Sequence, residues 1–290
     1  MKNQYIGDIG DYGKYGMLRY LEKRGIKIGV NWYLTENDDS NDGKFTTYLD
    51  NDKERYLDPE LFDLLKKVVV CEDKSVSMIE QAEIFSSACF YHKLISRENR
   101  DEWHDNALEA LRDAELVFCD PDNGPIGTKS KGSKNSEKYI CPLEIVDYYN
   151  RGQNVAYYCQ KARRTWEQWD KTKNEMIEYL PDARIYILTY HKGTQRSYIF
   201  VMHPEDGRRY TAILQKFLYT NWSRVFTEES PEKNSPSSKS VGGKLELEMD
   251  SGVIATITAQ EDGWVTIQFS DQPGRSTRTR IDHFLSNYRR

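Results

Sequence analysis

The sequence predicts an α/β protein in which a mostly parallel sheet, covered on both faces by helices, is followed by a small antiparallel β domain. Over residues 1–227, apolar strand-like runs alternate with segments of helical periodicity, the signature of strand-helix-strand units. Beyond residue 243, short segments alternate apolar and polar residues and are separated by Asp-Ser-Gly and Glu-Asp-Gly turns, as half-exposed antiparallel strands are. Residues 228–243, EESPEKNSPSSKSVGG, have no apolar period and read as a linker between the two.

In chain order, a helix over residues 12–23 comes first, with Asp11 near its start and Tyr15, Leu18 and Leu21 on one face. A strand over 28–34 then runs into the acidic segment 37–42. Helix 59–66, strand 68–71, helix 98–114, strand 115–120, helix 142–149 and strand 154–159 continue the alternation. Helix 165–180, strands 184–189 and 198–203, and helix 207–221 complete the larger domain. In the small domain, residues 244–290, the segments KLELEMD, GVIATITAQ and WVTIQFSD predict about three strands, closed by a short helix over 281–288.

Composition narrows the function. A net charge of -5 argues against binding nucleic acid by overall attraction, yet cations cluster locally. Lys129, Lys131, Lys134 and Lys138 share one loop, and Lys161, Arg163 and Arg164 another. Twenty tyrosines and six tryptophans suit stacking on bases, although most such rings fill cores. No apolar run approaches the roughly 18 residues of a membrane span, and the first residues lack the apolar stretch of a secretory signal. A cytoplasmic protein without a membrane role is expected. The five cysteines form no CxxC pair, so reduced thiols are expected rather than a zinc site.

Several segments carry chemistry. In GDIGDYGKYGMLRYL, residues 7–21, Asp8, Asp11 and Lys14 are spaced by three and fall near the positive first turn of a helix. The segment 29–49 leaves its strand into Asn37, Asp38, Asp39, Asn41 and Asp42, where a nucleotide-binding sheet would normally carry glycines. In FCDPDNG, an apolar strand ends on Asp120 and Asp122, with Pro121 and the Asn123-Gly124 turn constraining both acids. A Lys/Ser/Gly loop follows, suited to phosphate contact. YYCQKARRTWEQW sets Gln160, Lys161, Arg163 and Arg164 at another strand end, with Trp166 and Trp169 read as core. TYHKGTQRSYIFVMHP reads as two strands joined by a turn that holds His191, Lys192 and Arg196.

Together, GDIGDYGKYGMLRYL, LVFCDPDNG and NVAYYCQKARR resemble an uncharacterised bacterial family marked by GDxxDYxKYxLLR and FxDPDNG motifs, over roughly residues 6–203. The layout is distantly similar to the Rossmann-like ribosomal-RNA adenine-N6 methyltransferases. Asp11 and Lys14 match that group's Asp-x-x-Lys helix, Asp120-Pro121 half of its Asp-Pro-Pro-Tyr, and His203-Pro204 echoes its late Asn-Pro-Pro. The resemblance implies a Rossmann-like, class I methyltransferase-like sheet. It departs where Asp122 and Asn123 replace Pro and Tyr, and where the acidic loop replaces the glycine-rich S-adenosylmethionine turn.

These features lead us to expect a nucleic-acid enzyme acting on a flipped-out or single-stranded base, hydrolytic and N-glycosylase-like, in defence against foreign DNA. Asp120, Asp122, Asn123, Asp11 and Lys14 are its candidate catalytic residues. Asp8, Lys129, Lys131, Lys134, Lys161, Arg163, Arg164, His191 and Lys192 are candidate nucleic-acid contacts, with DNA expected before RNA. No cofactor or metal is expected. Two alternatives are an S-adenosylmethionine-dependent N6-adenine methyltransferase and a nuclease holding Mg²⁺ through Asp38, Asp39, Asp120 and Asp122.

Overall fold

The computed structural model describes residues 1–39, 45–82, 84–126, 132–229, 244–248, 254–259, 264–270 and 276–280. Asp8 opens the first helix, α1 (Ile9–Glu22): its backbone is extended and its side chain accepts from the Asp11 amide at 2.8 Å, which satisfies one of the helix's orphan donors. Gly13 and Gly16 lie so close to Tyr190 and Trp222 that a Cβ would come within 2.6 and 2.1 Å of those rings. The small residues thus let α1 pack tightly on the sheet, with nearly every α1 residue buried.

The larger sheet contains β1 (Ile28–Asn31), β2 (Cys89–Tyr91), β3 (Leu116–Cys119), β4 (Asn154–Gln160), β5 (Arg184–Tyr190), β6 (Arg196–Met202) and β7 (Phe226–Glu229), in the order β2-β1-β3-β4-β6-β5-β7. Pairings β2/β1, β1/β3 and β3/β4 are parallel, whereas β4/β6, β6/β5 and β5/β7 are antiparallel. The expectation of a mostly parallel sheet is corrected to a mixed one. Its physical cause is the short turn after Tyr190, which returns β6 as a hairpin rather than through a crossover helix. Strand order reverses between β1 and β3, and this leaves a crevice beyond their carboxyl ends.

The remaining helices are α2 (Pro59–Val68), α3 (Val76–Gln81), α4 (Arg100–Ala110), α5 (Pro142–Asn150), α6 (Trp166–Asn174), α7 (Met176–Tyr179) and α8 (Gly207–Phe217). Alternate strand residues sort into two buried clusters, as period-two side chains must. Val30, Phe118, Ala156, Leu188 and Phe200 pack with α1, α2 and α8. Val117, Val155, Tyr157, Ile187 and Ile199 pack with α4, α5 and the buried Trp169. The protein is α/β, with helices on both faces of the sheet.

Three elements differ from expectation for local reasons. The Val-rich segment 68–71 is no strand: Val68 completes the apolar stripe of α2 with Leu61 and Leu65, and residues 69–71 turn away. The edge strand β2 is only three residues long and escaped the apolar pattern. The helix expected over 165–180 divides at Glu175 into α6 and α7. Residues 228 and 229, read as linker, belong to β7. Tertiary contacts divide the chain into Met1–Glu232 and Lys233–Arg290. In the second unit, β8 (Lys244–Glu248), β9 (Ile254–Ala259), β10 (Trp264–Phe269) and β11 (Ser276–Arg280) form an antiparallel sheet in the order β11-β10-β9-β8. The fourth strand, STRTR, has no apolar alternation to reveal it. The helix expected over 281–288 lies outside the described residues. Among the described residues, no helix is long and apolar enough to cross a membrane.

Candidate active site

Strand β3 is buried throughout, and the Asp120 amide extends its ladder by donating to the Asn31 carbonyl at 2.9 Å. Asp120 therefore emerges at the crevice where strand order reverses. Its Oδ2 lies 2.5 Å from the Lys14 ammonium, which reaches across from α1. Lys14 also meets Asp11 Oδ1 at 2.7 Å, and Asp11 Oδ2 accepts from the Gly7 amide and the Tyr15 hydroxyl, each at 3.1 Å. The i,i+3 spacing read from the sequence is thus a buried carboxylate-ammonium-carboxylate cluster drawn from two elements. Asp120 Oδ1 has no hydrogen-bond partner among the described residues.

Electrostatics give each member a different task. Burial pushes the Asp11 and Asp120 carboxyls above the usual range, and the Lys14 charge opposes that shift without cancelling it. Burial would lower Lys14, but Asp11 and Asp120 outweigh it and hold the ammonium above its ordinary value. Lys14 is therefore a fixed cation, and Asp120 a carboxylate of enhanced basicity. Asp122 Oδ1 lies 2.5 Å from the Met1 amino group, and its Oδ2 accepts from the Thr35 hydroxyl at 3.3 Å.

Asp8, Asp11, Lys14, Asp120, Asp122 and Asn123 line one cavity of about 280 Å³. The sequence named all six, and tertiary structure brings them together from segments about a hundred residues apart. The cavity also takes Phe45, Lys138, Tyr158, Gln160 and Arg196. Among these, Arg196 is 6% exposed and begins β6 immediately after the turn; the sequence placed it beside His191 and Lys192 but named only those two as contacts. An arginine opening an apolar strand after a glycine turn, as in GTQRSYIFV, was the available signal. The Asn123 and Gln160 side-chain amides make no hydrogen bond to a described residue.

The rest of the expected site divides. The loop from Gly124 returns through Asn123 N to Lys138 O at 3.0 Å and Ile140 N to Gly124 O at 3.0 Å, so its base is pinned beside the cavity. Lys134 is exposed, while Lys129 and Lys131 lie outside the described residues. After β4, Gln160 and Ala162 line the cavity, whereas their chain neighbours Lys161, Arg163 and Arg164 do not; Lys161 donates to the Arg164 carbonyl at 2.9 Å and Arg164 to the Gln160 carbonyl at 2.7 Å. Lys161 sits 4.4 Å over the Trp166 ring, and Trp166 is 62% exposed whereas Trp169 is fully buried. The core reading holds for Trp169 alone. His191, exposed and bonded to Thr227, and Lys192, paired with Glu54 at 2.7 Å, do not line the cavity. Asp38 is held by Lys2 and Gln4, and neither it nor Asp39 lines the cavity, so the four acids suggested for Mg²⁺ are not gathered. Among the described residues, no group of three or more His, Cys, Asp or Glu is placed to hold a metal ion.

No protein-family model matches the chain, and no curated protein sequence matches it. Among solved structures, it is similar to the crystal structure of protein LPL1258 from Legionella pneumophila, of the DUF519 family, with a TM-score of 0.43 and 12% identity over 78% of this chain and 98% of that one. At that level of similarity neither fold nor activity transfers.

Proposed function

We propose that this protein is a base-directed nucleic-acid hydrolase of the N-glycosylase type, acting on a flipped-out or single-stranded base. One observation carries the reading: Asp120 is fixed through Oδ2 by Lys14, while Oδ1 stays unpaired at a cavity of about 280 Å³. That volume lies at the small end of ligand pockets, which run roughly 300–1,000 Å³, and suits a single nucleotide taken out of its stack. When the C1′–N bond breaks, its electron pair leaves with the base, which takes up a proton from solvent. The sugar becomes oxocarbenium-like, water adds at C1′, and Asp120 receives the water's proton. The raised basicity of Asp120 favours that transfer. Lys14 and Asp11 hold the carboxylate in place, and the unpaired Asn123 amide faces the task of reading the base edge.

The test is incubation with DNA and RNA, modified and unmodified, followed by mass analysis of every product. Released free base with an intact strand is the expected result, with DNA the better substrate. Asp120→Asn is expected to lower the rate by about 10²–10⁴-fold. Undiminished base release by that variant removes Asp120 from the mechanism; strand scission abolished by EDTA replaces the reading with a nuclease.

A second reading, S-adenosylmethionine-dependent N6-adenine methylation, is favoured by the strand order. The run β2-β1-β3-β4-β6-β5 with an antiparallel β6 supports a Rossmann-like sheet of the class I methyltransferase kind. Against it, no glycine occurs between Gly29 and Gly43, where the donor's turn would lie. Tight S-adenosylmethionine binding by calorimetry decides for this alternative.

A further inference from the structure

We infer that the cavity contains a phosphate subsite formed by Arg196 and the first turn of α1, and that it takes the phosphate of the nucleotide whose base is presented to Asp120. What the phosphate is attached to rests on the base-directed reading above. The subsite itself rests on separate observations.

Arg196 is nine-tenths buried and lines the cavity. Its Nε donates to the Thr194 carbonyl at 2.9 Å, but neither Nη atom has an acceptor at hydrogen-bond distance among the described residues. The nearest acid, Asp8, stands 4.0 Å from Nη1, and that same oxygen already accepts from the Asp11 amide at 2.8 Å. Tyr190 offers a ring at 5.9 Å and no acceptor in that contact. A buried guanidinium is normally fully hydrogen-bonded, because its desolvation is otherwise uncompensated.

Gly10 accounts for the placement. An ideal Cβ at that position would fall 1.2 Å from Arg196 Nη1, so the guanidinium rests directly on the first turn of α1. There the Ile9 amide donates to the Phe45 carbonyl, and the Asp11 and Tyr12 amides donate to Asp8. The Gly10 amide has no acceptor among the described residues. An orphan amide at the positive end of a 14-residue helix and a planar fork with unpaired edges therefore meet at one cavity. This combination recognises an oxyanion.

The other unoccupied donors and faces of the cavity identify the anion's carrier. The Asn123 and Gln160 amides suit a base edge, and Phe45, 58% exposed on the lining, offers a stacking face. Base-reading and anion-binding groups in one cavity fit a nucleotide unit. Its phosphate comes either from a strand backbone or from a free nucleotide.

Calorimetry with nucleosides, their 5′-monophosphates and a short mixed-sequence single strand tests this on the full chain. The wild type is expected to bind monophosphates about 10-fold to 100-fold tighter than nucleosides, the range of a charge-assisted hydrogen-bond set. Arg196→Gln is expected to erase that difference while leaving nucleoside affinity unchanged. Arg196→Lys recovers only part of it, because an ammonium lacks the fork. Asp8→Asn retains the helix cap, removes the opposing charge and tightens phosphate binding. Equal wild-type affinity for nucleoside and monophosphate, or no binding of either, overturns the inference; so does Arg196→Gln weakening both alike. Should Arg196→Gln lose its native thermal melt, the wild-type comparison and Asp8→Asn still decide. A strand bound more tightly than the monophosphate marks a nucleic-acid source, and equal affinity marks a free nucleotide. Base release measured in parallel separates the two readings: phosphate preference without base release keeps the subsite and removes the hydrolase, and the converse does the reverse.

Discussion

Gly124 holds φ at +85°, and a Cβ there would come within 3.0 Å of the Cys159 backbone. The Asn-Gly pair in the sequence foretold the positive φ, but only the packing of the turn on β4 supplies the second constraint. Gly124→Ala is expected to lower unfolding free energy by about 1–3 kcal/mol, seen as a reduced denaturant midpoint. The two tryptophans after β4 provide a second contrast at this scale. Trp169→Ala is expected to cost about 3–5 kcal/mol, whereas Trp166→Ala changes stability by less than about 0.5 kcal/mol. If the proposed function holds, Trp166→Ala is instead expected to weaken single-stranded nucleic-acid binding by the worth of one stacked base, about 1–3 kcal/mol, in a fluorescence titration. Unchanged binding would show that the exposed ring beside Lys161 takes no part.

Among elements, α4 and α5 anchor the end of the loop that follows β3. Arg100 Nε lies 2.6 Å from Glu144 Oε1, and the same guanidinium donates to the carbonyls of Ser136 and Tyr139 at 2.8 and 2.7 Å. Glu144 also accepts from the Tyr33 hydroxyl and the Cys141 amide at 3.0 Å. This buried network sets where the loop rejoins the core, and hence where Lys138 reaches the cavity. Removing one charge strands the other, so Glu144→Gln is expected to cost about 3–5 kcal/mol. Burial would raise the Glu144 carboxyl, but Arg100 outweighs it and holds the pKa below the usual 4.5. A depressed carboxylate stabilises the fold fully above 4.5 and loses that contribution as pH falls through the folded value. The stability gap between wild type and Glu144→Gln should therefore narrow in acid and be flat near neutrality, as read from melting curves against pH. A gap that widens on acidification contradicts the assignment.

At the scale of the molecule, a net charge of -5 means that the proposed nucleic-acid binding would rest on local cations, Arg196 on the cavity lining and Lys161 and Arg163 in the segment after β4. Each phosphate neutralised on a single strand adds about -0.7 to the slope of log affinity against log salt, so three contacts, by Arg196, Lys161 and Arg163, predict a slope of about -2. Anisotropy titrations over a range of salt measure it, and a slope near zero removes phosphate contact from the binding mode.

Local pattern located β3, β4, α1 and α5, because their apolar periods and flanking turn residues agree with the fold. It failed for β2 and β11, which are short or polar, and for residues 68–71, where valines favour a strand but Val68 finds its partners on a helix face. In the candidate site, a spacing of three at a helix start singled out Asp8, Asp11 and Lys14, and a second acid beyond what the Asn-Gly turn needs singled out Asp120, Asp122 and Asn123. The sequence by itself thus determined the α/β class and the principal carboxylates, which depend on neighbours a few positions away. Only the tertiary structure decided that Lys14 bridges Asp11 and Asp120, that Arg196 rests on Gly10, and that β6 returns antiparallel. Those outcomes depend on burial and on contacts between distant segments, which set both the charge of each group and the partners left to it.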